Sequence, residues 1–154
     1  MTEAVVDTEP DQTPVTVLSD VLADSYFLYL KAHNFHWNVE GPRFRSLHNM
    51  FEEHYRDLWN ALDDIAERIR ALGAYAPGTY AKFKARSSIQ ENERIPAAEA
   101  MLDELIADNE TVIRNLRAAV SVAEAHDDPA TADLLTERLG AHEKQVWMMR
   151  SMQA

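Results

Sequence analysis

Between Phe35 and Glu67 the chain reads FHWNVEGPRFRSLHNMFEEHYRDLWNALDDIAE, and from Arg43 onward it has helix periodicity. His48 and Glu52 stand at i, i+4, and so do Asp63 and Glu67. At ~100° per residue the four positions fall within an arc of about 100° on one helix face. Along the axis, at ~1.5 Å per residue, Glu52 and Asp63 lie ~16 Å apart. Ligands of one metal ion must each come within ~2–2.6 Å of it. If both pairs bind one metal, the second pair must come from another copy of the chain. Antiparallel pairing of two such helices does this, with the two-fold axis crossing near Asp57–Leu58. The result is an isologous dimer with two intersubunit sites.

Imidazole plus carboxylate without sulfur suits Fe(II), Zn(II) or Mn(II). Glu-x-x-His, the intrachain signature of di-iron bundles, is absent from the sequence. His36, at the end of the preceding helix, lies across a short turn from His48 and can supply a further ligand. The other histidines read as structural. His54, at about 240° on the helix wheel, belongs to the apolar face and needs a hydrogen-bond partner there. His33, one turn before His36, is read as a packing residue, with orientation of His36 as the alternative. His126 and His142 are expected at the surface. Met148, Met149 and Met152, with Trp147, read as packing in the last turns of the final helix.

A chain of 154 residues is large enough to fold as one domain without staples. Cysteine is absent, which excludes disulfides, thiolate zinc sites and cysteine nucleophiles and suits a reducing cytosol. No apolar run approaches the ~20 residues of a membrane span, and the first residues lack the basic and apolar regions of a secretory signal. A cytoplasmic protein is therefore expected. The net charge is −11, and the six acidic residues up to Leu30 are matched by no Lys or Arg. Residues 1–14 read as an acidic, solubilising, flexible arm, and residues 15–154 as the folded domain.

Few glycines and prolines among many Ala, Leu, Glu and Arg predict an all-α chain. The first helix is expected from about Val15 to Trp37, broken by Asn38–Pro42, and the second from Arg43 to Leu72, stopped at Gly73. A long connection follows to about Ile95, with a short helical turn in TYAKFKARS. The third helix is expected from near Pro96 to Ala125. The fourth follows Asp128 as cap and Pro129 at the first helical position. Two hairpins joined by a long crossover make the ferritin-like version of the four-helix bundle. On the second helix, Leu47, Phe51, Leu58, Leu62, Ile65 and Ile69 cluster at about 260–320° from His48 and form the core face. Glu53, Asp57 and Asp64 cluster at about 140–180° as an acidic face. A helix with core, interface and acidic faces belongs in an assembly.

The region AHNFHWNVEGPRFRSLHNMFEEHYRDLWNALDDIAERIRALG resembles the signature of the Dps family, the mini-ferritins. PGTYAKFKARSSIQE and DDPATADLLTERLGAHEK resemble that family too. The resemblance implies a hollow dodecameric shell built from two-fold dimers. It also implies ferroxidase sites at the dimer interfaces, where Fe(II) is oxidised to Fe(III), preferably by hydrogen peroxide, and stored as ferric mineral. Carried over residue by residue, one chain offers His36, His48 and Glu52, and its partner offers Asp63 and Glu67. Many members have Asp where this chain has Glu52, whose extra methylene lengthens its reach. Trp37 matches a tryptophan beside the site that is oxidised in place of diffusible radicals; the other reading is an aromatic that seals the interface. The shell turns Glu53, Asp57 and Asp64 toward a cavity as mineral-nucleating groups, against a plain solvated face. Asp128, Asp133 and Glu137 match the family's iron-admitting pore, against helix capping and dipole complementation.

Two other functions compete with iron oxidation and storage. One is a nucleoid protein that coats DNA, for which only Lys82, Lys84 and Arg86 in the connection supply a basic cluster; weak or absent DNA binding is expected from the acidic tail and net charge. The other is a helical scaffold holding structural zinc. Pairing between chains predicts that light scattering near neutral pH will find a closed assembly of the family's size and little monomer. A stable monomer carrying complete metal sites would defeat it.

Overall fold

The computed structural model describes residues 12–154. The expected flexible arm over 1–14 falls mostly outside them. Five helices are present among the described residues: α1 (Pro14–Asn38), α2 (Phe44–Ala71), α3 (Tyr80–Arg86), α4 (Ala98–Ala125) and α5 (Pro129–Gln153). No helix among the described residues is long and apolar enough to cross a membrane.

Local chemistry sets the ends of these helices. Thr13 and Thr16 form a reciprocal capping box at the start of α1, with Pro14 at the first position. Gly73, at φ +92°, ends α2 in the left-handed region that glycine tolerates. Asp127 takes the same role after α4 at φ 52°, a conformation Asp reaches more easily than most side chains. Asp128 then caps α5, accepting from the Thr131 N–H at 3.1 Å, with Pro129 in the first turn. The start of α4 is later than Pro96. Ala97 keeps an extended backbone as cap, so the first helical bond runs from Met101 N to Ala97 O.

The helices pack as two hairpins, α1 on α2 and α4 on α5, joined where α1 meets α4, while α3 lies on α1. Leu47, Phe51, Leu58, Ile65 and Ile69 of α2 are fully buried, and Leu62 packs half-buried against the same core. The crossover is fastened by buried charge. Asp24 of α1 accepts from Ser88 N at 2.7 Å, Asn115 Nδ2 at 3.0 Å and Ser87 Oγ at 3.1 Å. Lys31 donates to Asp108 at 2.7 Å and Glu104 at 3.4 Å, and Asn92 of the crossover donates to the same Glu104. Asp24 is therefore part of the core and not of an acidic surface.

A polar layer crosses the bundle's centre. Asn109 of α4 donates to His54 Nε2 at 3.1 Å and accepts from His142 Nδ1 at 2.8 Å. Arg138 reaches His142 Nε2 at 3.4 Å and pairs with Asp57 of α2 at 2.9 and 3.2 Å. His54 is thus the hydrogen-bonded core histidine the wheel predicts. His142 departs from expectation: it is 1% exposed, because α5 turns Leu135, His142 and Met149, spaced by seven, into the core. Asp57 also departs from a freely solvated face, being held by Arg138. In the last turns of α5, Met149 is buried and Met152 packs half-buried, whereas Trp147 points outward.

The two core histidines impose a pH dependence. Burial pushes the His54 imidazole down to about 4. Burial and the neighbouring Arg138 push His142 well below its usual value. The unfolded chain takes up protons near ~6.5 while the folded chain refuses them. Stability is then complete above that pH and falls as the pH drops toward 4, by on the order of 3 kcal/mol for His54 alone. Denaturant midpoints should decline from pH 6.5 to 5, and His142→Gln, which keeps a donor for Asn109, should flatten that decline. A wild-type midpoint constant over this range would show that neither histidine is held neutral.

Candidate metal centre

His36 lies in the last turn of α1, where carbonyls run out of helical N–H partners. Across the 39–43 turn, His48 lies in the second turn of α2. The two histidines close on each other reciprocally: His36 Nδ1 donates to the His48 carbonyl at 2.7 Å, and His48 Nδ1 donates to the His36 carbonyl at 2.7 Å. Their rings stack with centroids 3.8 Å apart and 15° between planes. A carbonyl has no proton to give, so each Nδ1 carries one. In the neutral rings this leaves both Nε2 lone pairs for a metal, with orientation fixed by the backbone. Phe44 stacks on the outer side of His48 at 4.9 Å.

Glu52, one turn after His48, is half-buried. It accepts from Arg56 at 3.1 Å and from the Tyr55 hydroxyl at 3.4 Å. The Arg56 hydrogen bond is the main reason its carboxyl lies below the usual range, so it is an anion at neutral pH. Asp63 and Glu67 are exposed on the same helix, and among the described residues neither makes a side-chain hydrogen bond or ion pair. Among the described residues of a single chain, no three His, Asp or Glu groups converge to hold a metal ion. The chain thus brings His36 and His48 together with Glu52 one turn on, and leaves Asp63 and Glu67 further down α2, solvent-facing.

The surroundings hold groups that ligand spacing alone does not reveal. Tyr55 is buried, its ring centroid 5.2 Å from that of His36 and the two rings steeply inclined. His33 stacks between Tyr55 at 4.0 Å and Trp37 at 3.9 Å, and shares a 3.1 Å hydrogen bond with the Tyr29 hydroxyl. Burial, His36 and Arg56 all lower the His33 pKa, which favours the neutral ring, and in the tautomer protonated at Nε2 its Nδ1 accepts from the Tyr29 hydroxyl. His33 therefore does more than pack helices. The signal for Tyr55 lies in its spacing, seven residues after His48 and three after Glu52. Trp37 is 61% exposed and Trp59 58% exposed beside this site.

Elsewhere, Asp133 and Glu137 are exposed near the start of α5. Asp128 is engaged by Thr131 and by Arg68 at 2.9 Å, as a cap and ion-pair partner. Glu53 and Asp64 are exposed on α2.

An α1–α2 hairpin and an α4–α5 hairpin joined by a crossover define a ferritin-like bundle, and the Ferritin-like domain family matches residues 15–154. DNA protection during starvation protein 2 of Bacillus anthracis is 39% identical over 89% of this chain and 94% of its own. The crystal structure of a Dps protein from Bacillus brevis superposes with a TM-score of 0.89 at 35% identity, covering 92% of this chain and 95% of that one. Dps from Vibrio cholerae O1, described as a member of a broad superfamily of ferritin-like diiron-carboxylate proteins, superposes with a TM-score of 0.87 at 26% identity, over 92% and 89% of the two chains. The chain belongs to the Dps family of ferritin-like proteins.

The geometry ranks the donors. Anaerobic Co(II) titration, read by its visible absorbance, should lose at least ~100-fold in affinity in His48→Ala, beyond the ~10–100-fold typical of losing an outer-shell partner. Glu52→Ala should cost less, since Arg56 and Tyr55 already compete for that carboxylate. Equal binding by wild type and His48→Ala would remove the histidine pair from the site.

Proposed function

We propose that the chain is an iron-sequestering ferroxidase. Two Fe(II) ions and one H2O2, with two protons, give two Fe(III) and two waters at sites shared between chains, and the ferric product is stored within a dodecameric shell. Iron is the substrate and the stored cargo. The observation that carries the reading is the reciprocal His36–His48 pair, which commits both Nδ1 protons to backbone carbonyls and so orients two imidazoles beside an anionic Glu52. A neutral-imidazole and carboxylate set holds Fe(II) and favours the added charge of Fe(III). Family membership and the diiron-carboxylate description of the Vibrio protein support iron chemistry in general. The finer assignment is ours: His36, His48 and Glu52 of one chain act with Asp63 and Glu67 of a second, whose exposed carboxylates lack internal partners.

Iron reaches these sites past Asp133 and Glu137, whose exposed carboxylates concentrate cations where subunits meet. Asp128, occupied by Arg68 and Thr131, serves as the cap. Glu53 and Asp64 offer free carboxylates for mineral nucleation, whereas Asp57 is held by Arg138. The name of the Bacillus anthracis relative attaches protection of DNA to that protein. Here protection follows from removing Fe(II) and peroxide, in the cytoplasm, more than from coating DNA. The net charge is −11, and of the basic cluster Arg86 is already paired with Asp20 at 3.0 Å.

His48→Ala and Asp63→Ala should each slow peroxide-driven Fe(II) oxidation by more than tenfold, about the loss of 1.4 kcal/mol or more in barrier, while shells still assemble. Because each site takes one set from each chain, shells co-assembled from the two variants should recover part of the lost rate. Hybrids no faster than either parent would contradict sites shared between chains, and full activity in both variants would remove these residues from the reaction.

A further inference from the structure

One cation stands inside the ligand face of α2. Between His48 and Glu67 the helix carries six carboxylates and a single Lys or Arg, which is Arg56. At ~100° per residue it falls at about 80° from His48, within the arc that holds Glu52, Asp63 and Glu67. Its guanidinium donates to Glu52 Oε1 at 3.1 Å, the one hydrogen bond it makes among the described residues. A guanidinium has five N–H donors, so most of this one's are uncommitted. The side chain is 66% exposed and free to swing. A resting place is at hand, because Arg56 Cζ already lies 5.5 Å from the centre of the Tyr55 ring, within cation–π range. An exposed i, i+4 pair of this kind favours the helix by only about a factor of two. Helix stability is therefore a weak reason for a cation in the middle of a ligand face.

We propose that Arg56 is a positioning residue that occupies Glu52 until Fe(II) displaces it, and that it thereby keeps hard cations such as Mg(II) and Ca(II) out of the site. The proposal rests on the reading of a metal site shared between chains. On that reading Glu52 meets Asp63 and Glu67 of a second chain. Three carboxylates by themselves make an oxygen site of the kind that Mg(II) and Ca(II) take. With Arg56 among them, one of the three negative charges is already answered. A hard cation has to displace the guanidinium and gains only oxygen ligands for doing so. Fe(II) gains His36 and His48 as well, and imidazole suits transition metals where oxygen ligands suit Mg(II). The histidine pair thus gives Fe(II), and not Mg(II), the means to move Arg56 aside onto Tyr55. Metal binding becomes an exchange of one cation for another. In the metal-free assembly the same guanidinium keeps the facing carboxylates from repelling one another.

The test compares the full chain as wild type, Arg56→Gln and Arg56→Lys by anaerobic Co(II) titration, read by visible absorbance. Each titration is run with and without millimolar Mg(II) at constant ionic strength. Mg(II) should leave the Co(II) affinity of the wild type unchanged. Arg56→Gln should bind Co(II) several-fold more tightly without Mg(II) and lose several-fold of that affinity when Mg(II) is present. Arg56→Lys, which keeps the charge, should resist Mg(II) as the wild type does. Light scattering follows the assembly alongside. Arg56→Gln shells that come apart without metal and re-form with Mg(II) would support the proposal, since a metal then replaces the missing cation. Shells restored by neither Mg(II) nor Co(II) would make Arg56 a structural contact and overturn it. So would Arg56→Gln indifferent to Mg(II), Arg56→Lys as sensitive to it as Arg56→Gln, or Mg(II) competition in the wild type. Co(II) binding that is lost in His48→Ala yet indifferent to Arg56 defeats this proposal alone; no Co(II) binding in the wild type defeats the metal-site reading as well.

Discussion

The mutual hydrogen bonds of His36 and His48 are the constraint on which the rest of the site depends. They answer a helix-end problem and, on the proposed reading, orient a pair of metal ligands. The His36 carbonyl lies in the last turn of α1, where backbone acceptors lack helical donors, and the His48 imidazole satisfies it. The return bond from His36 ties the two helices at the level of their shortest link. With both Nδ1 protons committed to backbone, neither ring can flip without losing a buried hydrogen bond, a cost of ~1–3 kcal/mol. The histidines are oriented by the chain itself, so ordering them would take nothing from the binding energy of the metal proposed to bind there.

The bundle's own centre is occupied by different chemistry. Where an intrachain di-iron bundle would set inward carboxylates and Glu-x-x-His pairs, this chain places His54, Asn109 and His142 in a neutral hydrogen-bonded row. Asn109 acts as a hinge between them, donating with its amide nitrogen and accepting with its oxygen. The row ends in Arg138, whose charge is answered by Asp57 at the rim. The hydrogen bonds that join His54, Asn109 and His142 set the alignment of α2, α4 and α5. The row itself contains no carboxylate for a metal, and so directs attention to the outer face of α2.

The sequence was most legible where one element declares itself through period and caps. The core face of α2 is buried as its wheel predicts, and the Asp128–Pro129 start of α5 and the Gly73 stop of α2 lie where cap chemistry puts them. It was least legible where a polar residue's fate depends on another element. Asp24 and Lys31 are charged, yet both are buried, because the crossover backbone at Ser88 and the α4 carboxylates Glu104 and Asp108 complete them from far along the chain. His142 shares the seven-residue period of Leu135 and Met149, a core signal that its charged neighbours Glu143 and Lys144 obscure in the sequence. At the candidate centre, spacing separates the two ligand pairs, while the reciprocal histidine bonds and the Tyr55–Glu52 contact are products of helix pairing that no single-helix wheel contains.

The three tryptophans supply an independent reason to regard the chain as incomplete by itself. Trp37, Trp59 and Trp147 are 61%, 58% and 64% exposed, on α1, α2 and α5. Tryptophan carries the largest apolar area of any side chain, and leaving most of it in water forgoes stabilisation of about 25 cal/mol per Å². Single exposed apolar groups are ordinary, but all three indoles of one chain lying outward from a core that buries every phenylalanine except Phe44 is a different pattern. Trp59 is four residues before Asp63 and stands beside the ligand face; Trp37 adjoins His36. Covering these two indoles with a second copy would remove apolar surface from water on and beside the helix that carries the exposed carboxylates Asp63 and Glu67. On the proposed reading, hydrophobic association and metal coordination favour one and the same antiparallel pairing of α2.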